Sequence, residues 1–478
     1  MRNNKTNGKS RIPRREFLGT AASAAALTIV PRHVLGGPGH AAPSETLNIA
    51  AIGVGGHGAF LVNEVFAQSQ HMPSGMGGAK FVALCDVDEK RASDAIVRHI
   101  PAVTNFGGFK RFPEAKQYDD FRKMLDKEER IIDAVVVATP DHTHIPAGVM
   151  AMEMGKHCYC EKPLAHNVFE ARLAAEVAKK NKVATQMGIG NHSSETFRRV
   201  VELIQAGAIG EVREVHAWCD DDEGMPPDDG KLMWGDRPPQ QTPAVPEHLH
   251  WDLWLGPAPY RPYHPAYHPI NWRNWWDFGN GRLGDMGCHL LDLAFWALGL
   301  KHPLTVEAEG PDRVGREVAP RWQIVRWAFP RRGELPPVTL TWYHGNQRPE
   351  LLNEVNLPNW PIAVLFVGSE GMLITQIEVI PPTYELYPKE KFADFEPPPR
   401  TIPRSIGHAN EWIVACKTGS PTTCSFDYSG PLTETVLLGT VAYRAGQKLA
   451  WDAENLKATN CPEADQFLRR EYRKDWTL

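Results

Sequence analysis

The first half of the chain alternates short apolar runs with amphipathic stretches. Each apolar run is typical of a strand that is buried on both faces. These predicted strands are Leu47–Ile52, Phe81–Cys85, Ile131–Thr139, Lys156–Cys160 and Val183–Met187. Helices are predicted between and after them, starting at Ala59 and over Ile145–Gly155, Val168–Lys180 and Ser193–Ala206. Strands that alternate with helices predict an α/β domain with a parallel sheet.

The pattern changes after Glu211. Residues 220–247 are acidic and rich in proline and glycine, which indicates an irregular segment. Beyond it, alternating runs predict the strands of an open, largely antiparallel sheet, at Thr305–Glu309, Gln323–Phe329, Val338–Tyr343, Ala363–Val367 and Met372–Ile380. Helices are predicted over Leu283–Leu298, Ile406–Cys416 and Thr433–Leu449. We therefore divide the chain near Pro163, into an α/β domain over residues 45–163 and an α+β domain over residues 164–478.

A glycine-rich loop follows the first predicted strand. Gly53, Gly55 and Gly58 have the spacing G-x-G-x-x-G, and a predicted helix comes next. The first glycine permits a tight turn, the second lets a diphosphate approach the backbone, and the third lets the helix pack close to the strand. The loop predicts a Rossmann dinucleotide-binding domain, although similar loops also close ordinary strand–helix turns.

The second predicted strand ends at Asp86, whose carboxylate could accept both ribose hydroxyls of a dinucleotide. Because an acid there would repel a 2′-phosphate, NAD is favoured over NADP, and the nearby Arg91 weakens that preference. Asp86 lies 33 residues after Gly53, whereas about 20 is usual. The excess falls in residues 68–79, which we predict to be a loop insertion.

The N-terminus has the pattern of an export signal. Arg14 and Arg15 precede the apolar run Gly19–Val30, and small residues follow at positions 41 and 42. A twin arginine before a short apolar run is typical of the Tat route, which exports folded proteins. Residues 1–42 are therefore predicted to be a Tat signal and linker, and the mature protein to be periplasmic or secreted. The alternative is a basic, partly helical tail. The apolar run is too short to span a bilayer, so no membrane span is predicted in the mature protein.

Composition and charge exclude some classes of function. The 478 residues are 42% hydrophobic and 23% charged, as in an ordinary globular protein of about two domains. Loss of residues 1–42 would change the net charge from −5 to −11, which disfavours binding to nucleic acid or to an anionic membrane. The eight cysteines form no C-x-x-C or zinc pattern, and several lie in apolar contexts that favour buried thiols.

Polar residues follow two of the predicted strands at their carboxyl ends. Residues 139–144 read TPDHTH, and Lys162 stands just before Pro163. The carboxyl edge of a parallel sheet is the usual ligand side. A partly desolvated lysine there can have a lowered pKa and can hydrogen-bond a reacting oxygen. The alternative is a surface lysine without a chemical role.

A second set of candidate residues lies on the helix predicted over Leu283–Leu298. Asp285, His289 and Asp292 have i, i+4 and i+7 spacing and share one face. Histidine is the commonest general acid–base group, and a neighbouring carboxylate can fix its tautomer. The alternatives are a capped helix start with a satisfied histidine, or a metal site built from the same side chains. We predict no metal, because an oxygen-rich site would need further ligands that the sequence does not identify.

Aromatic residues are concentrated between Trp251 and Trp276, in proline-rich sequence that also carries Arg273. Such a cluster can form part of a core. With polar side chains among the rings, it can also form a flat apolar wall that suits the C–H faces of a sugar ring.

Together these motifs resemble the Gfo/Idh/MocA family, the group that includes glucose–fructose oxidoreductase and inositol dehydrogenase. The resemblance rests on the glycine loop, on Thr139-Pro140 with His144, on Glu161-Lys162-Pro163, and on Asp285 with His289. It covers nearly all of the chain after the signal. It implies a Rossmann domain, then an α/β domain whose open sheet often serves oligomerisation, and NAD(P)-dependent oxidation or reduction of sugars, polyols and their derivatives.

By position, the resemblance implies roles for individual residues. Lys162 would bridge cofactor and substrate, His289 would exchange the hydroxyl proton during hydride transfer, and Asp285 would orient them. The expected cofactor contacts are Gly53, Gly55, Gly56, His57, Gly58, Asp86, Thr139, Pro140, His144, Glu161 and Lys162. Candidate substrate contacts are Asn191, His192, Arg273, Trp276 and Asp292.

These observations predict a periplasmic NAD-dependent oxidoreductase that acts on a sugar or polyol, has no nucleic-acid partner and forms a homo-oligomer. An exported enzyme has no obvious means to regenerate free NAD. The alternative is therefore an enzyme that retains NAD tightly and cleaves a glycoside by oxidation, elimination and reduction. A third hypothesis is a non-catalytic sugar-binding protein with the same fold.

Overall fold

A computed structural model describes residues 45–72, 78–94, 107–219, 239–312, 317–377 and 383–478. The predicted Tat signal, residues 1–42, lies outside these ranges. So do residues 73–77 of the predicted loop insertion and residues 220–238 of the predicted irregular segment.

The first half of the chain forms a six-stranded sheet in the order β3-β2-β1-β4-β5-β6, and every neighbouring pair is parallel. This is the strand order of a Rossmann fold, in which ligands bind at the carboxyl ends of β1 and β4, where the order reverses. The strands are β1 Leu47–Ile52, β2 Ala79–Cys85, β3 Lys116–Tyr118, β4 Ala134–Val137, β5 His157–Cys160 and β6 Thr185–Met187. The predicted α/β fold is confirmed.

Helices cover the faces of this sheet, and the central strands are apolar on both sides as a result. All four residues of β4 are buried, and five of the six residues of β1 are buried. The helices of this half are α1 His57–Ser69, α2 Glu89–Ser93, α3 Gly108–Arg111, α4 Phe121–Glu128, α5 Asp141–Glu153, α6 Val168–Asn181 and α7 Glu195–Gln205.

The first sheet extends beyond the predicted division near Pro163. Strand β6, which is fully buried, pairs with β5 and brings the sheet to Met187. The predicted strand Val183–Met187 therefore belongs to the Rossmann sheet, and α6 connects β5 to it.

The second sheet has nine strands in the order β13-β12-β11-β7-β10-β9-β8-β14-β15. Strands β7 and β10 are parallel, and the other pairs are antiparallel, so the predicted largely antiparallel sheet is confirmed as a mixed one. The strands are β7 Val212–Cys219, β8 Thr305–Glu309, β9 Gln323–Phe329, β10 Val338–His344, β11 Ile362–Gly368, β12 Met372–Gln376, β13 Tyr384–Tyr387, β14 Leu449–Asp452 and β15 Lys457–Ala458.

Two long helices, α9 (Gly281–Leu298) and α12 (Phe426–Ala445), share an apolar core with strands β7, β9 and β10. The last predicted helix is shifted toward the N-terminus. It begins at Phe426 rather than Thr433 and ends at Ala445, and Leu449 begins a strand instead. The helices of this half are α8 Trp251–Leu255, α9 Gly281–Leu298, α10 Leu351–Glu354, α11 His408–Thr418, α12 Phe426–Ala445 and α13 Asp465–Leu468.

All eight cysteines lie in described positions, and each is a free thiol. Seven are buried, and Cys416 is partly buried. Among the helices of the described ranges, none combines the length and apolar character needed to cross a membrane.

Candidate active site

A cavity of about 1170 Å³ lies at the carboxyl ends of the parallel strands. Sites for small ligands usually measure about 300–1,000 Å³, so this cavity has room for a dinucleotide and a substrate together. It contains every predicted cofactor contact, all three predicted catalytic residues, and two of the predicted substrate contacts. These are Gly53, Gly55, Gly56, His57, Gly58, Asp86, Thr139, Pro140, His144, Glu161, Lys162, Asp285, His289, Asn191 and Arg273.

The glycine loop fits a diphosphate closely. Gly53 has a φ of +80°, and a Cβ on it would lie 2.7 Å from the carbonyl oxygen of Ala138. A Cβ on Gly58 would overlap the carbonyl oxygen of Gly53, so helix and strand can meet only without a side chain there. No side chain caps the start of α1, which leaves the positive end of the helix open to an anion.

Asp86 supports this loop directly. Its Oδ2 accepts hydrogen bonds from the backbone N–H groups of Val54 (2.9 Å) and Gly55 (3.0 Å), and its Oδ1 accepts one from Asp88 (2.9 Å). Burial raises the pKa of Asp86 although these donors favour the charged form. The predicted ribose contact would have to use the remaining lone pairs of the same two oxygens.

Arg91 lies against the loop from the other side. A Cβ on Gly56 would stand 2.8 Å from Nη2 of Arg91, and one on Gly55 would stand 2.9 Å from its Cβ. The guanidinium therefore reaches the cavity beside the position predicted for the phosphates, where it adds a positive charge.

Lys162 and Asp285 form the central ion pair of the cavity. Nζ of Lys162 lies 3.0 Å from Oδ1 of Asp285 and 2.8 Å from its backbone oxygen, and Nε of Arg273 lies 3.2 Å from the same Oδ1. Burial alone would lower the pKa of Lys162, but Asp285 raises it above the usual value. The prediction of a lowered lysine pKa is therefore wrong, because the sequence does not reveal this carboxylate partner.

The same pair changes the expected role of Asp285. Burial opposes its charge, yet Lys162 and Arg273 hold the pKa of Asp285 well below its usual range. Its oxygens contact these cations and not the imidazole of His289. Asp285 therefore positions Lys162, and the tautomer of His289 is not fixed by this carboxylate.

His289 lies one helical turn after Asp285 and is held neutral. Burial, followed by the positive charge of Lys162, lowers the pKa of His289 to about 3. Its Nδ1 is buried, with no hydrogen-bond partner among the described residues. A neutral imidazole in this position can accept a proton.

Two further side chains complete the wall next to Lys162. The Oε1 of Glu161 lies 3.5 Å from Nε2 of His57. Burial would raise the pKa of Glu161, but His57 and Lys162 lower it to about 2. The ring of His144 joins two loops, because its Nε2 lies 2.7 Å from the carbonyl oxygen of Thr139 and its Nδ1 lies 2.8 Å from that of Pro163.

Asp141 is a cavity residue that was not among the predicted site residues. It is 4% exposed, and burial raises its pKa to about 8 although Arg273 and Lys162 oppose the shift. The sequence did contain a signal for Asp141, because this residue follows Pro140 in the polar cluster at the carboxyl edge of the sheet.

Two predicted substrate contacts, His192 and Asp292, lie in the core instead. Nδ1 of His192 is 3.0 Å from Oδ1 of Asp292, the hydroxyl of Tyr428 donates to the same oxygen at 2.6 Å, and both residues are at most 1% exposed. Asp292 does share a helical face with Asp285, but seven residues displace it by about 10 Å along the axis. Within the described ranges, no group of three or more His, Cys, Asp or Glu side chains could hold a metal ion.

The predicted aromatic wall is only partly present. Trp254 and Trp272 line the cavity, whereas Trp276, a predicted substrate contact, lines a separate cavity. Most of the other rings pack among themselves and against Val87, and Tyr260 is exposed. The residue just before this segment bonds to the stretch that follows β2, where the N–H of His250 donates to the carbonyl oxygen of Val87 at 2.8 Å.

Two domain models of one protein family match this chain. Residues 47–189 match the NAD-binding Rossmann fold of the Gfo/Idh/MocA oxidoreductases, and residues 196–331 match their C-terminal alpha/beta domain. The two matches together cover more than half of the 478 residues. The chain belongs to the Gfo/Idh/MocA family. Its first domain is thus an NAD-binding Rossmann domain, as the glycine loop predicts.

Individual proteins resemble parts of the chain. An inositol 2-dehydrogenase of Salmonella typhimurium is 26% identical over 142 residues, which are 30% of this chain and 38% of that protein. A protein of Saccharopolyspora erythraea named as a member of glycosyl hydrolase family 109 is 30% identical over 172 residues, which are 35% of this chain and 34% of that protein. The matched stretches span less than half the length of these relatives.

Solved structures share the family fold at low sequence identity. The aldose-aldose oxidoreductase of Caulobacter crescentus, complexed with glycerol, is 16% identical, with a TM-score of 0.54 over 85% of this chain and 100% of that chain. A levoglucosan dehydrogenase in complex with NADH and levoglucosan is 17% identical, with a TM-score of 0.55 over 84% of this chain and 98% of that chain. At this level of identity the likeness concerns the fold.

Proposed function

We propose that this protein is an NAD-dependent oxidoreductase that oxidises a hydroxyl-bearing carbon of a sugar or polyol, or reduces the corresponding carbonyl. The observation that carries the proposal is the joint placement of Lys162 and His289 in the cavity of the glycine loop. When bound, the nicotinamide would accept or donate the hydride.

The two side chains divide the remaining chemistry. The Lys162 ammonium, kept charged by Asp285, would donate a hydrogen bond to the reacting oxygen of the substrate. Neutral His289 would accept the hydroxyl proton as the carbon gives up its hydrogen as hydride, which carries both electrons of the C–H bond, leaving a carbonyl. In the reverse direction the imidazolium would return the proton.

The substrate class is argued from the cavity and from the relatives. Asn191 and Arg273 supply polar groups near Lys162, and Trp254 and Trp272 supply apolar faces, a combination that suits a polyhydroxylated ring. Two of the similar proteins are named for acting on inositol and on levoglucosan, which are both of this class.

The first experiment is mass spectrometry of the purified protein after denaturation, to identify any nucleotide that is released. Purified protein with added NAD is then given a panel of sugars and polyols, and absorbance is followed in the NADH band. We expect turnover with at least one member of the panel. Failure to bind either NAD or NADP would remove the proposal.

A second candidate function uses the same residues with NAD retained through the cycle. The residues just before the aromatic segment favour it, because two backbone hydrogen bonds, from Glu89 to His248 and from His250 to Val87, join them to the predicted ribose end of the cavity. Such closure would slow dissociation of the nucleotide. Oxidation of a glycoside hydroxyl to a ketone would acidify the neighbouring C–H bond, and elimination would expel the aglycone and leave a double bond. Water would add to that double bond, and return of the hydride to the ketone would restore NAD.

The two candidates differ in their spectroscopic signature. A dehydrogenase accumulates NADH in proportion to product, whereas a retained-NAD glycosidase releases an aglycone with no net change of NADH absorbance. A p-nitrophenyl glycoside panel, with both signals recorded on the same sample, separates them.

We further propose that residues 1–42 direct Tat export to the periplasm and that the mature protein forms a homo-oligomer. Replacement of Arg14 and Arg15 by lysine in the full chain should retain the protein in the cytoplasm, as fractionation would measure. Sedimentation of the mature protein should give a mass above that of one chain, and a monomer would contradict the oligomer.

A further inference from the structure

A second cavity of about 520 Å³ shares no lining residue with the first. It lies between the start of α6, the last turns of α12, the segment that precedes α9, and residues 465–471. No proposed step of hydride transfer uses it.

Arg444 supplies an unusual charge to this cavity. Its Cζ lies 4.2 Å from the ring centre of Phe467 and 5.3 Å from that of Trp276, so the guanidinium stands between two aromatic rings. Burial lowers the pKa of Arg444 to about 10, and Asp277 offsets only part of this effect. Within the described ranges Arg444 has no ion-pair partner. A partly buried cation without a counter-ion carries a desolvation cost, which points to an external anion.

Two more polar groups facing the cavity lack partners. His166 is 8% exposed, and neither of its ring nitrogens has a hydrogen-bond partner of acceptable geometry among the described residues. Nη1 of Arg470 is also buried without a partner, although its Nε donates to Glu170 at 3.0 Å. Buried polar groups are normally hydrogen-bonded, so these groups indicate a ligand that offers acceptors.

The acidic residues of the cavity do not supply those acceptors. Asp277 is paired at 2.5 Å with Arg261, which lies outside the cavity. Asp465 and Glu471 are exposed at the mouth. The inner wall is therefore cationic and aromatic.

We propose that this second cavity binds a sugar acid of the uronate class. The planar guanidinium of Arg444 matches a carboxylate in a two-point hydrogen bond. The partly buried ring of Trp276 offers an apolar face to the C–H side of a pyranose ring. The amide of Asn280 and the hydroxyl of Thr440 line the same space and can meet sugar hydroxyls.

The test is titration calorimetry of the purified protein with D-glucuronate, with D-glucose and inorganic phosphate as separate arms. We expect glucuronate to bind, and Arg444→Met to weaken that binding by roughly tenfold to a hundredfold. Arg130→Met is the control, since Arg130 is an exposed arginine that lines neither cavity, and it should leave affinity unchanged.

Other outcomes overturn the proposal. Equal binding of phosphate would mean a general oxyanion site, equal binding of glucose would remove the need for the carboxylate, and undiminished affinity in Arg444→Met would place binding elsewhere. If Arg444→Met lowers the melting temperature, Arg444→Lys replaces it, since lysine keeps the charge but loses the two-point geometry. Glucuronate affinity should be unchanged in His289→Ala, which makes the result independent of the hydride-transfer proposal.

Discussion

Lys162 and His289 lie in one cavity, yet their surroundings favour opposite charge states. Asp285 raises the pKa of Lys162, whereas burial and Lys162 lower that of His289 to about 3. Lys162 is thus held charged and His289 is held neutral near pH 7. Environments that push two pKa values apart are typical of acid–base pairs in enzymes.

Replacement of Lys162 tests this coupling at the level of one residue. In Lys162→Met, loss of the nearby cation should raise the pKa of His289, and turnover should fall by roughly 100- to 10,000-fold. The imidazole titration is measured by NMR and turnover by NADH absorbance. Lys123→Met, at an exposed lysine, is the control. An unchanged His289 titration would contradict the electrostatic link.

Asp141 provides a pH prediction of its own. Its folded pKa, about 8, lies above the unfolded value near 4, so the folded state keeps a proton that the unfolded state loses. Stability contributed by this proton is complete below about pH 4 and is lost as the pH rises toward 8, at about 1.4 kcal/mol per unit.

Asp141→Asn removes this group. Relative to the parent protein, the variant should therefore gain stability steadily from pH 5 to pH 8, as urea denaturation at each pH would measure. Asp126→Asn, at an exposed position, should show no such trend. Parallel pH profiles for Asp141→Asn and its parent would mean that Asp141 is ionised throughout.

At the scale of elements, glycines decide how closely helices approach their neighbours. A Cβ on Gly287 of α9 would lie 3.1 Å from Val436 of α12, so this glycine brings two helices together. Gly58 acts in the same way between α1 and β1.

Gly58→Ala should disrupt the start of α1, because its Cβ would overlap the carbonyl oxygen of Gly53. We expect a loss of about 2–4 kcal/mol in the free energy of unfolding and at least tenfold weaker NAD binding. Denaturant titration and calorimetry measure the two effects. Gly148→Ala is the matched control, since its Cβ would make an ordinary 3.5 Å contact with Cys158. Equal behaviour of the two variants would refute the packing argument.

The sequence predicted several elements to the residue, including β8 and β9, because their alternation is regular. It missed β7, the strand that pairs with both β10 and β11, since its sequence lies just before the irregular segment. It also placed the start of α5 four residues late, next to Pro146. Proline cannot donate to the carbonyl of His142, and Arg470 donates to that oxygen instead, at 2.5 Å. A partner so distant in sequence cannot be read from local pattern.

The candidate site was predictable where it follows the ends of strands, as Lys162 and the residues of the glycine loop do. Residues were wrongly assigned to the site where the prediction relied on their position around a helix or on local composition. Asp292 shares the phase of Asp285 but lies deeper, and Trp276 belongs to the aromatic cluster but faces another cavity. The position of a residue around the helix axis fixes the direction of its side chain, but it does not fix how deeply that turn of the helix is buried.

At the scale of the whole molecule, a buried ion pair joins the two halves. Arg172 of α6 donates to both carboxylate oxygens of Glu434 in α12, at 2.7 and 2.8 Å, and also to the backbone of Ala453. Glu434 is 1% exposed, and Nδ1 of His302 lies 3.4 Å from its Oε2.

Arg172→Ala should therefore cost about 3–5 kcal/mol of unfolding free energy, because it leaves a buried carboxylate without its cation. Denaturant titration measures this loss. The control is Arg213→Ala, which breaks an exposed pair with Glu211 and should cost less than about 1 kcal/mol. Similar losses of unfolding free energy in both variants would show that burial does not increase the contribution of the ion pair to stability.

The free thiols allow local opening of the native fold to be measured by chemical labelling. Because seven of the eight are shielded from solvent, a maleimide reagent labels mainly those molecules in which a segment has opened. Cys158 and Cys160 belong to β5, immediately before Lys162, so ligand occupancy of the neighbouring cavity should slow their labelling relative to Cys461 near the carboxyl terminus. The labelling rate of these thiols would therefore measure how often the Rossmann sheet opens locally, without an engineered probe.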